Sequence, residues 1–160
     1  MNLEEIKKFV KNKHGNQRRK HGTPYYLHPF AVADILEKKG YNLDYQIAGL
    51  FHDLLEDTDV KYEEILKLSS ANIADAVKLL SKEEGYEISD YINRIDQNEI
   101  AKAVKLADRV HNLSEAYLVS NEFIQKYIEE TKKWYLQLAK GTVFESEIKE
   151  ALERLEGIIC

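Results

Sequence analysis

The sequence predicts an all-α fold, a bundle of roughly eight or nine helices. Apolar residues recur at helical spacing along nearly its whole length. No segment alternates apolar and polar residues as a half-buried strand does. Helix breakers are few: Pro24 and Pro29 stand close together, and the seven glycines are scattered.

Taken in order, residues 1–13 read as a short helix with Leu3, Ile6 and Val10 inward. A polar loop containing Gly and Pro follows over 14–27. The next helix runs from about His28 to Lys39 and stops at Gly40, a fitting residue for a helix end. Residues 43–57 carry Leu43, Ile47, Leu50, Phe51, Leu54 and Leu55 on one stripe. Short helices at 61–68 and 70–82 come next, with Gly85 breaking the pattern before 87–97. The remaining helices are 98–117, 121–140 and 145–158.

The 160 residues suit one domain, 1–160, with a sizeable core. A net charge of -5 argues against a polymeric nucleic acid as partner, since that would call for a basic face. Cys160 is the sole cysteine, so neither an internal disulfide nor a thiolate zinc site is expected. No apolar run suggests a signal peptide or a membrane span, and the default expectation is cytoplasmic. The glycines match neither a dinucleotide fingerprint nor a phosphate-cradling loop.

The informative residues are polar ones set in apolar surroundings, where burial is costly without compensation. His52 and Asp53 interrupt the stripe at 43–57. On a continuous helix His52 would share a face with Glu56, and Asp53 with Asp57. In the helix at 98–117, Asp108 and Asn112 share a face, flanked by Lys105 and Arg109. Upstream, His28 precedes Pro29, and Arg18, Arg19 and Lys20 form a basic cluster.

His28, His52, Asp53 and Asp108 offer two imidazoles and two carboxylates from three helices. That mixture suits a divalent first-row ion such as Mn²⁺, Fe²⁺ or Co²⁺ better than Mg²⁺. From the residues alone this reading stands level with chance adjacency of a His-Asp pair. Glu56 and Asp57, from the residues alone, read first as a solvated helix end, and Arg18, Arg19 and Lys20 could be a solvated charge run. His111 reads as packing behind the Asp108 face, and His21 as exposed in its loop. Tyr117, Phe123, Tyr127, Trp134 and Tyr135 fall at core or dimer-contact spacing; Tyr25 and Tyr26 are better candidates for a nucleotide contact, with packing their first reading.

Three ordered motifs resemble the HD-domain hydrolases of the alarmone (RelA/SpoT-type) family: HGNQRRKHGTPYYLHP (14–29), HDLLEDT (52–58) and KLADRVHN (105–112). The likeness extends to KYIEETKKWYLQLA, which is similar to the family's closing helix. The resemblance implies an HD-domain bundle and a Mn²⁺-dependent hydrolase that removes pyrophosphate from the 3′ position of guanosine tetra- or pentaphosphate. It implies His28, His52, Asp53 and Asp108 as metal ligands and Glu56 with Asp57 as the catalytic acidic pair. Arg19, Lys20, Lys105 and Asn112 are implied to meet the substrate, with Arg109 adding positive charge. Homo-oligomers are common in proteins resembling this one.

The sequence departs from the family at Leu113-Ser114-Glu115, where a Met-Arg-Thr-like run is typical. The stretch between Leu80 and Ala101 is also shorter than in the long bifunctional enzymes, and their synthetase domain is absent from the 160 residues. A nucleotidase or nucleotide pyrophosphohydrolase on another phosphorylated nucleotide is the alternative. A binding module that holds nucleotide without turnover is the reading from a different class.

Overall fold

In a computed structural model describing residues 1–159, the chain forms α1 (Leu3–His14), α2 (Leu27–Lys38), α3 (Leu43–Phe51), α4 (Leu54–Asp57), α5 (Tyr62–Leu68) and α6 (Ala71–Leu80). It continues with α7 (Ile88–Asp96), α8 (Glu99–Glu115), α9 (Asn121–Glu130), α10 (Leu136–Ala139) and α11 (Glu145–Ile159). Cys160 lies outside the described residues. Among those residues the only extended pairing is a bridge between Arg18 and Pro24 in the loop before α2. None of the described helices is long and apolar enough to cross a membrane.

The centre of the bundle is α8. Residues 103–110 are buried without a break, including Lys105, Asp108 and Arg109. A helix covered on all sides lies inside the fold, so its polar members must find partners there. Helices α2, α3, α6, α7 and α11 pack around it. The α8 start is set by Asn98, whose side chain accepts the Ala101 N–H at 2.9 Å. Leu36, Leu50, Phe51, Leu54, Ile95, Leu106 and Leu113 fill the space between helices. Each such side chain contributes roughly 1.5–3 kcal/mol by leaving water.

The fold is all-α as predicted, and two predicted helices are divided. The first, over 43–57, is interrupted at His52 and Asp53. In an uninterrupted helix the Gly49 carbonyl would accept the N–H of residue 53. Here it accepts the His52 Nδ1–H at 2.6 Å. The second, over 121–140, passes through a π-helical stretch at Thr131–Tyr135. Burial of the Thr131 and Tyr135 side chains accompanies that extra residue in the turn.

Gly49 also sets how closely α2 and α3 approach. A Cβ there would lie 3.0 Å from Leu36 Cδ1 and 3.3 Å from Val32 Cγ1. The absence of a side chain lets α3 lie against α2, which carries His28 on its first turn. Pro29 sits in that same first turn, where a missing N–H leaves no helical bond unmade.

Candidate metal centre and adjoining cavity

Three parts of the chain bring the four proposed ligands near one another, with His28, His52 and Asp108 buried together and Asp53 half-buried beside them. His28 comes from the first turn of α2, His52 and Asp53 from the break between α3 and α4, and Asp108 from the middle of α8. His28 Nε2 lies 2.7 Å from Asp108 Oδ1 and 3.8 Å from Asp53 Oδ2. His52 Nε2 lies 3.1 Å from Asp53 Oδ2 and 3.4 Å from Asp108 Oδ1. His28, His52 and Asp108 each offer a ligand atom within 4.8 Å of the others.

The donor set fits a divalent cation. His52 Nδ1 is committed to the Gly49 carbonyl, an acceptor only, so the neutral form of the ring, the form that binds a cation, would turn its Nε2 lone pair toward the cluster. Although carboxylate oxygens surround it, that buried Nε2 makes no directed hydrogen bond. The group converges on a common point. Imidazole and carboxylate donors converging in this way suit a divalent cation.

Charge in the cluster is strongly interdependent. Burial opposes protonation of His52, but Asp53 and Asp108 outweigh it and hold its pKa well above the usual imidazole value. Burial likewise disfavours ionised Asp108, yet Lys105, His28 and His52 hold it well below the carboxylate range. Asp53 is also lowered, with His52 and His28 overcoming the effect of burial. The site therefore keeps its carboxylates ionised.

Neighbours hold the proposed ligands in place. The Tyr25 hydroxyl donates to Asp53 Oδ2 at 2.7 Å. Lys105 Nζ lies 3.2 Å from Asp108 Oδ2, and Asn112 Nδ2 donates to Asp108 Oδ1 at 3.2 Å. Behind His28, its Nδ1 meets His111 Nδ1 at 2.7 Å. Burial, then the nearness of His28, pushes His111 down to about 4, leaving it neutral near pH 7.

Tyr25 also borders a cavity of about 330 Å³. Arg19, Lys20, Asn112, Phe123 and Tyr127 line it as well. Arg19 Nη2 donates to Asn112 Oδ1 at 2.9 Å, while Lys20 Nζ stands 4.3 Å over the Phe123 ring. Phe123 and Tyr127 stack with centroids 5.2 Å apart. Their helical spacing suggested core residues, and the cavity they border depends on the packing of α9 beside the 14–27 loop, which no local pattern encodes.

Several expectations drawn from the sequence need correction. Arg109 does not face the cavity: it is buried between Tyr127 and Tyr135 and paired to Glu130 at 2.7 Å. His21 is not exposed, since its side chain is only 7% accessible and lies against Glu115. Glu56 and His52 do not share an unbroken helical face. Glu56 Oε1 instead accepts the Lys82 N–H at 2.6 Å, closing the loop after α6. Lys105 is buried on Asp108, apart from the cavity-lining cations.

Asp57 lies at the surface near this centre. Although the residue is exposed on one side, partial desolvation of its carboxyl, then the charges of Asp53 and Glu56, raises it to about 6. A larger cavity of about 650 Å³ adjoins α6 and α7. Asp75, Glu83, Glu84, Glu87 and Asp90 outnumber Lys78 and Arg94 around it, the wrong sign for a polyphosphate.

Residues 7–142 match the HD-domain family. The chain is 35% identical over 147 residues to the guanosine-3′,5′-bis(diphosphate) 3′-pyrophosphohydrolase of Aquifex aeolicus, covering 85% of this chain and 21% of that protein. It thus spans about a fifth of the length of the first such relatives. It is 32% identical to the guanosine-3′,5′-bis(diphosphate) 3′-pyrophosphohydrolase MESH1 of Danio rerio, covering 96% of this chain and 91% of that one. A solved structure described as a metazoan ortholog of SpoT that hydrolyzes ppGpp superposes with a TM-score of 0.82 at 26% identity, covering 94% of this chain and 93% of that one.

Proposed function

The chain belongs to the HD-domain family, and from that premise we propose that residues 1–160 act as a cytoplasmic hydrolase that removes pyrophosphate from the 3′ position of guanosine tetra- or pentaphosphate. One observation carries the reading: Tyr25, whose hydroxyl donates to Asp53 of the proposed four-ligand set, also lines a cavity holding Arg19, Lys20 and Asn112. A cation-binding group beside a basic pocket suits a phosphorylated nucleotide. Similarity to MESH1 along nearly the full length of both chains supports the same substrate.

His28, His52, Asp53 and Asp108 would hold the ion, with Mn²⁺ the proposed occupant and Fe²⁺ or Co²⁺ the alternatives. Bound there, it supplies Lewis acidity toward phosphoryl oxygens and makes a water more acidic. Arg19 and Lys20 bind the phosphates, and Asn112 orients Arg19 through its carbonyl oxygen. Lys105 acts by keeping Asp108 ionised and in place. Asp57, with its carboxyl raised to about 6, is still mostly ionised near pH 7 and can take the proton of the attacking water. Glu56, next to Asp57 in sequence, completes the proposed acidic pair and holds the loop at Lys82.

The Leu113-Ser114-Glu115 run favours one second reading, the same chemistry on a different phosphorylated nucleotide. The test is Mn²⁺-dependent pyrophosphate release from guanosine tetraphosphate, run beside Asp53→Ala. Turnover by the parent that disappears in the variant supports the assignment. A parent that binds Mn²⁺ and releases no pyrophosphate overturns it.

A further inference from the structure

Glu115 places a carboxylate in the wall of a cavity otherwise built for anions. Its Oε1 lies 3.1 Å from Arg19 Nη2 and 3.2 Å from His111 Nε2. Its Oε2 lies 3.5 Å from His21 Nε2. One guanidinium and two imidazoles therefore converge on a single negative charge. None of the three approaches is directed as a hydrogen bond, because both Glu115 Oε1 and His21 Nε2 are buried without a hydrogen-bond partner. The His21 side chain is 7% exposed and lines the cavity. A donor held dry and unmatched at a cavity wall calls for an acceptor that the protein itself does not position well.

We infer that Arg19, His21 and His111 form an anion subsite that Glu115 fills in the free protein, so that Glu115 competes with a phosphate group of the substrate and sets the affinity for it. This rests on the phosphohydrolase reading above, in which Arg19 meets the substrate. Arg19 is already steadied from its other side by Asn112, so it stays in place when the carboxylate leaves. An entering phosphate offers more oxygens than a carboxylate and can align with Arg19 and with the idle His21 N–H together. Against that gain stands repulsion from Glu115, which must swing away or accept a like charge nearby. Glu115 is 26% exposed, which leaves it an open side toward water. It thus acts as a specificity-determining residue that disfavours weakly held anions while admitting substrates that add further contacts.

The probe is inorganic phosphate, titrated calorimetrically into metal-loaded parent, Glu115→Gln and Arg19→Ala/Glu115→Gln proteins. Removing the charge should tighten phosphate binding on the order of tenfold. That gain should vanish when Arg19 is also removed, and KM for the nucleotide should fall in Glu115→Gln with kcat little changed. Unchanged or weaker phosphate binding in Glu115→Gln overturns the inference, as does a gain that persists without Arg19. Glu115→Ser provides the same comparison should the Gln variant fail to fold. Phosphate binding requires no turnover, so a parent inactive on guanosine tetraphosphate would sink the functional reading and leave this comparison decisive.

Discussion

The imidazoles of His28 and His111 meet nitrogen to nitrogen, Nδ1 to Nδ1, at 2.7 Å. Such a contact holds only if one ring donates and the other accepts. His111, pushed down to about 4 by burial and then by His28, is the neutral acceptor once His28 turns its Nε2 lone pair to a cation. His111 thereby fixes the tautomer and the ring plane of His28, a proposed ligand that it does not replace. His111→Ala should weaken Mn²⁺ binding by roughly 10–100-fold, the usual effect of losing a group behind a ligating histidine. Calorimetric titration with Mn²⁺ measures it, and unchanged affinity in a folded variant would show that His28 needs no such support.

Asp57 makes the stability of the metal-free protein depend on pH. Its carboxyl is raised from 3.8 to about 6, first by burial and then by Asp53 and Glu56. The folded protein thus holds this proton more tightly than the unfolded chain does. Its contribution to stability is fully present below about pH 4 and is lost as pH climbs through 6. Asp57→Asn abolishes that dependence. In chelator, the variant should gain stability relative to the parent between pH 4 and 7 and hold the difference above. Denaturant titrations across that range would read it, and two parallel curves would refute it.

Much of the candidate centre was legible because the motifs that resemble the family name its residues, and a helical bundle commonly gathers such side chains from facing helices. His28, His52, Asp53 and Asp108 needed no knowledge of packing to be chosen. Their supports were harder to see. The helical period hid the break at His52, since a continuous apolar stripe from Leu43 to Leu55 conceals a side chain that takes its own backbone's acceptor. Gly49, three residues earlier inside a helix, was the available signal. Arg109 was misplaced for a related reason: flanking a polar face does not tell which way a long side chain turns. Only the position of α9 and the π-helical stretch shows that Tyr127 and Tyr135 enclose it.

Arg109 should therefore behave as a structural residue. Its guanidinium carbon lies 3.7 Å from the Tyr135 ring centroid and 4.1 Å from that of Tyr127, and its Nη2 donates to Glu130 at 2.7 Å. Arg109→Met keeps the bulk and removes the charge. Because Glu130 remains partly exposed, the loss should be on the order of 2 kcal/mol, below that for a fully buried pair. Thermal unfolding should register this fall, while KM for the nucleotide stays near the parent value. A raised KM with unchanged stability would return Arg109 to the substrate side.

Gly49 joins the fold to the candidate metal centre. A methyl group there meets Leu36 Cδ1 at 3.0 Å and Val32 Cγ1 at 3.3 Å, so α2 and α3 must separate or those side chains must turn. Overpacking of this kind costs about 1–3 kcal/mol. The local consequence reaches further than the energy, because α2 carries His28 and the Gly49 carbonyl orients His52. Gly49→Ala should lower thermal stability by that amount and weaken Mn²⁺ binding together. Leu36→Ala in the same chain opens space for the added methyl and should restore part of the metal affinity even though it removes buried apolar surface. If metal binding in Gly49→Ala matches the parent while stability falls, the spacing of α2 and α3 matters for packing and not for the ligands.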